Sequence, residues 1–348
     1  MLNVTMEEFN KLDFTLYENN PVIRCFGGSA IAADPSVLSP ENSHDNKWHL
    51  ACHTYYGVYH FESDDGINFV KKGKIVSRAM RPDLKYIDGT YYMYYERVQI
   101  LPARALSAIC VIKWKSEIYL IKSKDLVNWS KPTPIIEYSM PYQKGKMGIS
   151  ISNPFLVKED SEYRLYYSAN LSYLSDCKFC EPTYIALARA TSPDGPFVSD
   201  EKPIMSPSNE DKYNNKGCGC IKVYKVKDGY IALQNGIYME GKDSHSMIML
   251  LNSDDGINFR YVKPLVVPQM VGNDPWMAQY VYASNLTYYN GKYYVHFNAR
   301  NVANPLKGRE HIGIALAEYQ CECGDLKALL SASIAFDRSN TNGLRRSK

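Results

Sequence analysis

The heptapeptide SDDGINF occurs twice in the chain, at residues 63–69 and 253–259. Two degenerate copies, SKDLVNW (123–129) and TSPDGPF (191–197), lie between them, and a weaker copy, FTLYENNPVI (14–23), precedes them all. The aromatic residues of successive copies are 55, 60, 68 and 62 residues apart. They are Phe14, Phe69, Trp129, Phe197 and Phe259. A period near 60 residues indicates a fold built from equivalent structural units.

Each unit also carries the signature of antiparallel strands. Three units contain turn dipeptides that favour positive φ, a strong hairpin signal: Asp88-Gly89, Asp228-Gly229 and Asn290-Gly291. Their flanks are rich in Tyr, Val and Ile, and a further strand follows, as in YIALARA (184–190) and IGIALAE (312–318). No stretch of comparable length shows an apolar period of 3.6 residues. These features predict an all-β fold, a five-bladed β-propeller with four-stranded antiparallel blades.

The repeats also predict the domain organisation. Residues 1–340 are expected to form one domain, and residues 341–348 a disordered basic tail. The last unit has only a weakly marked fourth strand near 328–336, so we expect the N-terminal segment (14–23) to help close the last blade. The predicted blades cover residues 30–76, 77–136, 147–205, 217–267 and 278–336.

Composition limits the classes of partner. Forty Lys and Arg stand against 37 Asp and Glu, a net charge of +3 with both signs interspersed, so no nucleic-acid surface is expected. The N-terminal segment has no basic or apolar region of the kind found in signal peptides, and no apolar run reaches membrane-spanning length. We therefore expect a cytoplasmic protein that binds neither nucleic acid nor membranes. Its nine cysteines should be mostly reduced, and its oligomeric state is left open.

The geometry of a propeller blade predicts which side chains converge. The start of the first strand, the end of the second and the start of the third reach the same rim of the central channel. This rule brings together carboxylates, amides and arginines, among them Asp34, Arg81, Asp83, Glu96, Asn153, Asn170, Glu181, Asn298, Arg300, Glu310 and His311. Such a rim suits a polyhydroxylated ligand, and carboxylates from different blades can act as an acid–base pair.

Two blade openings, ADPS (33–36) and RPDLKYIDGTYYMYY (81–95), resemble those of the five-bladed propeller glycosidases. The resemblance extends over nearly the whole chain, roughly residues 14–336. It is to the superfamily that includes glycoside hydrolase families 43, 32, 68, 117 and 130, and it implies glycosidase activity. In family 43 the Asp that opens the first blade is the general base, and Asp34 matches it. The second acid and the general acid of that family open the third and fourth blades, where this chain has Asn153 and GCGC (217–220).

The resemblance and the rim together give candidate catalytic residues. Asp34 is the expected base or nucleophile and Glu181 the expected acid, with Glu96 and Glu310 as alternatives. Asp83 is expected to orient the sugar or to tune a pKa. An Asp beside a proline is also a common turn residue, and a rim Glu often pairs with an Arg in a structural ion pair. The residues expected to bind substrate are Arg81, Glu96, Asn153, Asn170, Asn298, Arg300 and His311.

Two short cysteine pairs lie on neighbouring units. Cys177 and Cys180 belong to DCKFCEP (176–182), and Cys218 and Cys220 to KGCGCI (216–221). A CxxC that meets a CxC can bind one zinc ion tetrahedrally. The alternative is four reduced thiols in crowded loops. The sequence thus predicts a structural zinc site, with no cofactor required for catalysis.

Three functions with a carbohydrate ligand stay open. The leading one is a glycoside hydrolase that uses paired carboxylates in the central funnel, with inversion of configuration as the match to family 43 implies. The second is a phosphate-dependent phosphorylase similar to family 130, in which arginines such as Arg81 and Arg300 hold phosphate. The third is a sugar-binding propeller without activity, because two of the family 43 acids are missing.

Overall fold

A computed structural model describes residues 1–99, 113–305 and 307–319. In that part of the chain nearly all regular structure is β, as the sequence predicts. One short α-helix and two 3-10 helices occur, at α1 (Met6–Asn10), Pro40–Asn42 and Pro141–Gln143. The strands are β1 (Thr15–Leu16), β2 (Ala33–Leu38), β3 (Trp48–Thr54), β4 (Gly57–Ser63), β5 (Val70–Val76), β6 (Ala79–Ile87), β7 (Thr90–Val98), β8 (Trp114–Ser123), β9 (Thr133–Ile136), β10 (Lys144–Gly145), β11 (Gly148–Ile149), β12 (Ile151–Lys158), β13 (Tyr163–Leu174), β14 (Phe179–Ala190), β15 (Val198–Ser199), β16 (Ile221–Val226), β17 (Gly229–Glu240), β18 (Asp243–Ser253), β19 (Arg260–Val266), β20 (Gln269–Val271), β21 (Asp274–Met277), β22 (Tyr280–Tyr289), β23 (Lys292–Arg300) and β24 (Glu310–Glu318).

Strands that are neighbours in sequence are neighbours in the sheets. Four-stranded antiparallel groups form from β2 to β5, from β6 to β9, from β12 to β15 and from β16 to β19. β22, β23 and β24 pair in the same way, with β1 outermost. The apolar core lies between neighbouring groups; one cluster joins Ala51 and Val58 to Leu84 and Tyr91. Among the described residues, no helix is both long and apolar enough to cross a membrane.

The N-terminal segment runs along the last of these groups, as predicted. Leu16 pairs with Ala315 on β24, and the side chain of Asn20 both donates to the carbonyl of Ile314 and accepts its N–H, at 2.8 Å each. Residues 14–23 therefore take the place of an outermost strand. The predicted strand near 328–336 and the tail 341–348 lie outside the described residues.

The repeated heptapeptide forms a turn that caps itself. Asp65 Oδ1 accepts the backbone N–H groups of Ile67 and Asn68 at 2.9 and 2.7 Å, and the hydroxyl of Ser63 at 2.8 Å. The same contacts recur around Asp125 and Asp255. Although burial acts in the opposite direction, these donors lower the pKa of Asp65 to about 2. The shared spacing of Ser, Asp and Asn in these three copies is thus explained by local hydrogen bonding.

The glycine of the heptapeptide docks the turn against a neighbouring sheet. Tyr166 on β13 donates a hydrogen bond of 2.8 Å to the carbonyl of Gly256, and His296 on β23 lies 2.9 Å from the carbonyl of Gly66. Gly256 has φ of +73°, and a Cβ there would lie 2.9 Å from the Tyr166 hydroxyl. Only glycine fits this position without strain. Identical sequences therefore recur because each copy makes both its own turn and its own contact with an adjacent sheet.

Three first strands begin with a β-bulge at an X-Pro dipeptide. Asp34, Arg81 and Asn153 each precede a proline, and their φ angles are +52°, +51° and +50°. The strand register shifts at each of them. Residues before proline are normally extended, and positive φ is uncommon outside glycine. Because a bulge re-aims a side chain, these three side chains leave the ordinary alternation of the strand. Gly219, with φ of +56°, holds the corresponding place before β16.

Candidate active site

A cavity of about 550 Å³ opens where the starts of the first strands meet. Its volume lies within the range of roughly 300–1,000 Å³ that is typical of small-molecule sites. The charged and polar residues that line it are Asp34, His53, Arg81, Asn153, Glu181, Asn235, Asn298, Arg300 and Glu310. The aromatic residues that line it are Tyr55, Tyr56, Trp114, Phe179 and Tyr282. Carboxyls, amides, guanidiniums and aromatic faces in one cavity suit a polyhydroxylated ligand.

Asp34 enters the cavity from the bulge of β2. Its backbone N–H donates to Asn298 Oδ1 at 3.1 Å, and its Oδ2 lies 3.2 Å from His53 Nδ1. Burial raises the pKa of the Asp34 carboxyl to about 6, although the Arg81 guanidinium acts against this. At neutral pH the group is therefore mostly ionised, yet more basic than an ordinary Asp. A carboxylate of this kind suits a general base.

Glu181 enters the cavity from the start of β14. It is buried, and its Oε1 accepts a hydrogen bond of 3.0 Å from the Tyr282 hydroxyl. Burial raises its pKa to about 7, against the opposing effect of the Arg300 and Arg81 guanidiniums. A large fraction of Glu181 is thus protonated at neutral pH. A buried carboxylic acid with a raised pKa suits a general acid.

Glu310 is a third carboxyl in the cavity, at the start of β24. Its Oε2 accepts from Asn298 Nδ2 at 3.1 Å, and its Oε1 lies 3.4 Å from Arg300 Nη1. Burial raises the pKa of Glu310 as well. Since Asn298 donates to Glu310 and accepts the N–H of Asp34, the amide holds the two acidic residues in a fixed relation.

Arg81 is held in place by a fully buried carboxylate. Its Nη1 donates to Glu96 Oε2 in a short hydrogen bond, and Glu96 Oε1 accepts the Trp114 indole N–H at 3.0 Å. Glu96 does not line the cavity. It therefore acts through Arg81, whose side chain does reach the cavity, rather than by touching a ligand itself.

Arg300 lines the cavity and carries two buried donors without partners in the described part of the chain. Its side chain is only 2% exposed, and its guanidinium lies over the rings of Tyr280, Tyr282 and Phe179 at 4.8, 5.3 and 5.8 Å. Nη1 faces Glu310, but among the described residues Nε and Nη2 have no hydrogen-bond partner. Buried donors without partners cost about 1–3 kcal/mol each.

Asp83, the third predicted catalytic residue, does not line the cavity. Its Oδ2 accepts the backbone N–H of Leu156 at 2.8 Å, and its Oδ1 lies 3.1 Å from Lys85 Nζ. Ser36 has the same place in β2, two residues after the positive-φ residue, and accepts the N–H of Leu84 at 2.8 Å. Side chains at this place therefore join neighbouring first strands. The contacts of Asp83 are structural and give no support to the predicted catalytic role.

Two predicted substrate-binding residues also lie outside the cavity. Asn170 Oδ1 accepts the N–H of Leu171 at 2.7 Å, and His311 Nδ1 accepts the N–H of Cys25 at 2.9 Å. Both side chains are thus engaged with the backbone near the rim. Of the predicted binding residues, the cavity is lined by Arg81, Asn153, Asn298 and Arg300.

The predicted zinc ligands do not converge. Cys177 and Cys218 are buried in two different apolar clusters, and Cys220 faces the cavity. Burial raises the pKa of the Cys218 and Cys220 thiols to about 12. A metal site needs at least three ligand atoms close together. In the described residues, no three ligand atoms that lie within 4.8 Å of one another include a sulfur of these cysteines. This arrangement matches four packed thiols and gives no support to a site that Cys177, Cys180, Cys218 and Cys220 share.

The aromatic lining was not predicted as part of the site. Tyr282 bonds the candidate acid and Trp114 bonds Glu96, which in turn holds Arg81. With 29 tyrosines in the chain, composition does not separate a cavity tyrosine from a packing one. A usable signal was the position of Tyr282, at the start of a first strand, where the rim rule applies.

Neither a protein-family model nor a curated protein sequence matches the chain. Solved structures match it along most of its length. An N-acetylgalactosamine deacetylase from F. plautii, solved with blood group B trisaccharide, is 15% identical with a TM-score of 0.62, over 88% of this chain and 96% of that one. The catalytic domain of the Coprinopsis cinerea family 62 α-L-arabinofuranosidase is 13% identical with a TM-score of 0.63, over 88% and 98%.

A third match is a structure from family 130, a family of mannoside phosphorylases that contains glycoside hydrolases targeting β-1,2-mannosidic linkages. It is 14% identical with a TM-score of 0.58, over 90% of this chain and 96% of that one. At such low identity a likeness shows the fold and nothing finer. The chain therefore has the fold shared by these glycoside hydrolase families, and the resemblance that its sequence carries is confirmed at the level of the fold.

Proposed function

We propose that the protein is a glycoside hydrolase in which Asp34 is the general base and Glu181 the general acid. One observation carries the proposal: two carboxyls from different sheets, Asp34 largely buried and Glu181 buried, face one cavity, with pKa values raised to about 6 and about 7. Glycosidases cleave the glycosidic bond with a pair of carboxyls, and the surroundings of such carboxyls shift their pKa values. The structural likeness to several glycoside hydrolase families supports the same conclusion.

The proposal includes a closed ring of five blades. Val37 on β2 donates its backbone N–H to Asn285 Oδ1 at 2.6 Å, and Leu286 on β22 donates its own to the Tyr224 hydroxyl at 2.8 Å. These bonds continue the pattern that joins β2 to β6 and β6 to β12. They support a ring in which β22, β23, β24 and β1 form the fifth blade.

In the proposed mechanism, Glu181 protonates the leaving oxygen while Asp34 removes a proton from the attacking water. Tyr282 orients Glu181 by a hydrogen bond to its carboxyl. The side chain of Asn298 orients Asp34 by accepting the backbone N–H of Asp34. Arg81 and Arg300 bind hydroxyl groups of the sugar beside the reacting carbon. We propose inversion, as the match of Asp34 to family 43 implies, which requires carboxyls about 6.5–9.5 Å apart to admit the water.

The pH dependence of kcat/KM tests the assignment. Asp34 must be ionised, so activity should fall as the pH drops below about 6; Glu181 must be protonated, so activity should fall as the pH rises above about 7. We expect a narrow bell when kcat/KM for a glycoside with a poor leaving group is measured from about pH 4 to 9. A profile that is flat over this whole range would contradict the paired roles of Asp34 and Glu181.

The two guanidiniums that line the cavity, Arg81 and Arg300, favour one alternative, phosphorolysis, because guanidinium groups also bind phosphate. A panel of aryl glycosides and oligosaccharides assayed with and without inorganic phosphate separates the two. For a hydrolase we expect free sugar as the product and a rate that phosphate leaves unchanged or lowers. Phosphate-dependent turnover to a sugar 1-phosphate would replace hydrolysis by phosphorolysis. Saturable sugar binding without turnover on the whole panel would instead indicate a binding protein.

A further inference from the structure

A second cluster of metal-ligating side chains lies on β3 and β4, apart from the cavity. His49 pairs directly with Glu62 across the two strands, and His60 lies two residues before Glu62, so the three side chains share one face of the sheet. Their ligand atoms all lie within 4.8 Å of one another. His49 Nδ1 and His60 Nε2 are 3.0 Å apart. Two paired strands hold these groups more rigidly than loops would.

A fourth residue fixes the orientation of His49. Its Nε2 lies 2.8 Å from Asp45 Oδ1, and because a carboxylate only accepts, Nε2 must carry the proton. The lone pair of Nδ1 therefore points at His60 Nε2. A histidine that gives one ring N–H to a carboxylate and turns the other nitrogen inward is the usual arrangement around protein-bound metal ions.

We propose that His49, His60 and Glu62 bind one divalent transition-metal ion of the zinc class. Two imidazole nitrogens and one carboxylate oxygen are a donor set that zinc favours, and water would complete a tetrahedron. Lys72 and Lys47 approach Oε2 of Glu62, at 3.1 and 3.8 Å, so the carboxylate can still offer Oε1. On binding, the proton of His60 moves from Nε2 to Nδ1, and the hydrogen bond between His49 and His60 is replaced by a bond from each of these nitrogens to the ion.

The position of the cluster indicates what the ion does. The His49 ring lies 6.2 Å from the ring of Tyr91 on β7, which belongs to the next sheet. The Tyr91 hydroxyl lies 2.7 Å from His44 Nδ1, on the segment that leads into β3. A metal ion at His49 would therefore stiffen the contact between the sheets β2–β5 and β6–β9. Its role is structural and does not depend on the proposed glycosidase activity.

The test uses the full-length protein without a histidine tag, stripped with a chelator and titrated with Co²⁺ and Zn²⁺. We expect one equivalent of Co²⁺ per chain with visible d–d absorption, displaced by Zn²⁺, and a higher melting temperature with Zn²⁺ bound. His60→Gln should abolish the spectrum. Asp45→Asn should weaken zinc binding by roughly 10–100-fold, the usual effect of losing an outer-shell carboxylate. His245→Gln is the matched control. The His245 ring packs on Tyr238, and both residues lie on β17 and β18, away from β3 and β4.

Two results would overturn the proposal: parent protein that shows no saturable Co²⁺ signal, or His60→Gln protein that binds Co²⁺ as the parent does. If His60→Gln fails to fold, Glu62→Gln replaces it, because Glu62 is partly exposed and its side chain lies at the sheet surface. For Glu62→Gln we expect zinc affinity to fall by more than it does for Asp45→Asn, because a ligand is lost and not only its support. Unchanged affinity would count equally against the site.

Discussion

Asp34→Asn is expected to lower kcat at least about a hundredfold, the scale of losing a positioned base, while the protein stays folded. The amide cannot accept a proton from water. It can still contact His53, and the backbone bond from residue 34 to Asn298 does not involve the side chain. Asn also tolerates the φ of +52° at this position, since Asn and Asp adopt the left-handed region more readily than other non-glycine residues. Initial rates on the substrate found in the panel measure the effect.

The stability of Asp34→Asn gives an independent readout. Because the pKa of Asp34 is raised in the folded state, the carboxyl favours folding below the unfolded pKa, and this stability is lost as the pH rises through about 6. At pH 8 the neutral amide should raise the free energy of unfolding by about 1–3 kcal/mol relative to the parent, seen as a higher melting temperature. Asp83→Asn offers a contrast: loss of its ion pair with Lys85 should destabilise the protein and spare most of kcat. Full turnover by Asp34→Asn would refute the proposed base.

Glu181→Gln is expected to lower kcat/KM by about 100–10,000-fold for glycosides with poor leaving groups, since these need a proton in the transition state. Aryl glycosides with acidic leaving groups need less protonation and should lose much less activity. The variant should also lose the fall in activity above about pH 7, because that limb reports the Glu181 carboxyl. Rates for two leaving groups of different acidity, each across the pH range, measure both effects.

Glu117→Gln is the matched control for Glu181→Gln. Glu117 is buried at the start of β8, the third strand of its own sheet, but it bonds Gln99 and does not line the cavity. We expect its activity to respond to leaving groups and pH as the parent does. If Glu181→Gln keeps full activity on poor leaving groups, the proposed acid is wrong, and Glu310 becomes the next candidate because it lines the same cavity.

The fold could be predicted because its signals are local. The bonds of Ser63, Asp65 and Asn68 close within six residues, so the sequence of the turn records them directly. The pairing of residues 14–23 with β24 could also be inferred, because the last unit lacked a clear outer strand. A contact such as His296 with Gly66 joins residues 230 positions apart, and no local pattern announces it.

The site could be predicted only to the accuracy of one residue along a strand. The rim rule found the strand ends that line the cavity, including those of Asp34, Glu181 and Arg300. It failed at Asp83 because the bulge at Arg81 turns residue 81, and not residue 83, towards the cavity. The predicted site of four cysteines gained no support for a related reason, since proximity along a rim does not say which way a side chain packs. The dipeptides Asp34-Pro35, Arg81-Pro82 and Asn153-Pro154 carried the missing signal.

Those dipeptides bear on how such a protein can acquire new chemistry. Asp34, Arg81, Asn153 and Gly219 occupy one recurring backbone geometry yet carry an acid, a base, an amide and no side chain at all. At the three X-Pro positions the bulge and the flanking bonds set that geometry, and each position carries a different side chain. Exchanges between Asp and Asn at positions 34 and 153 cost little backbone energy, because both adopt positive φ more readily than other residues with a side chain. At Gly219 a Cβ would lie 2.1 Å from the carbonyl oxygen of Asn235, so that place requires glycine. Selection can therefore change the charge of the cavity at residue 34 or residue 153 while the backbone there stays unchanged.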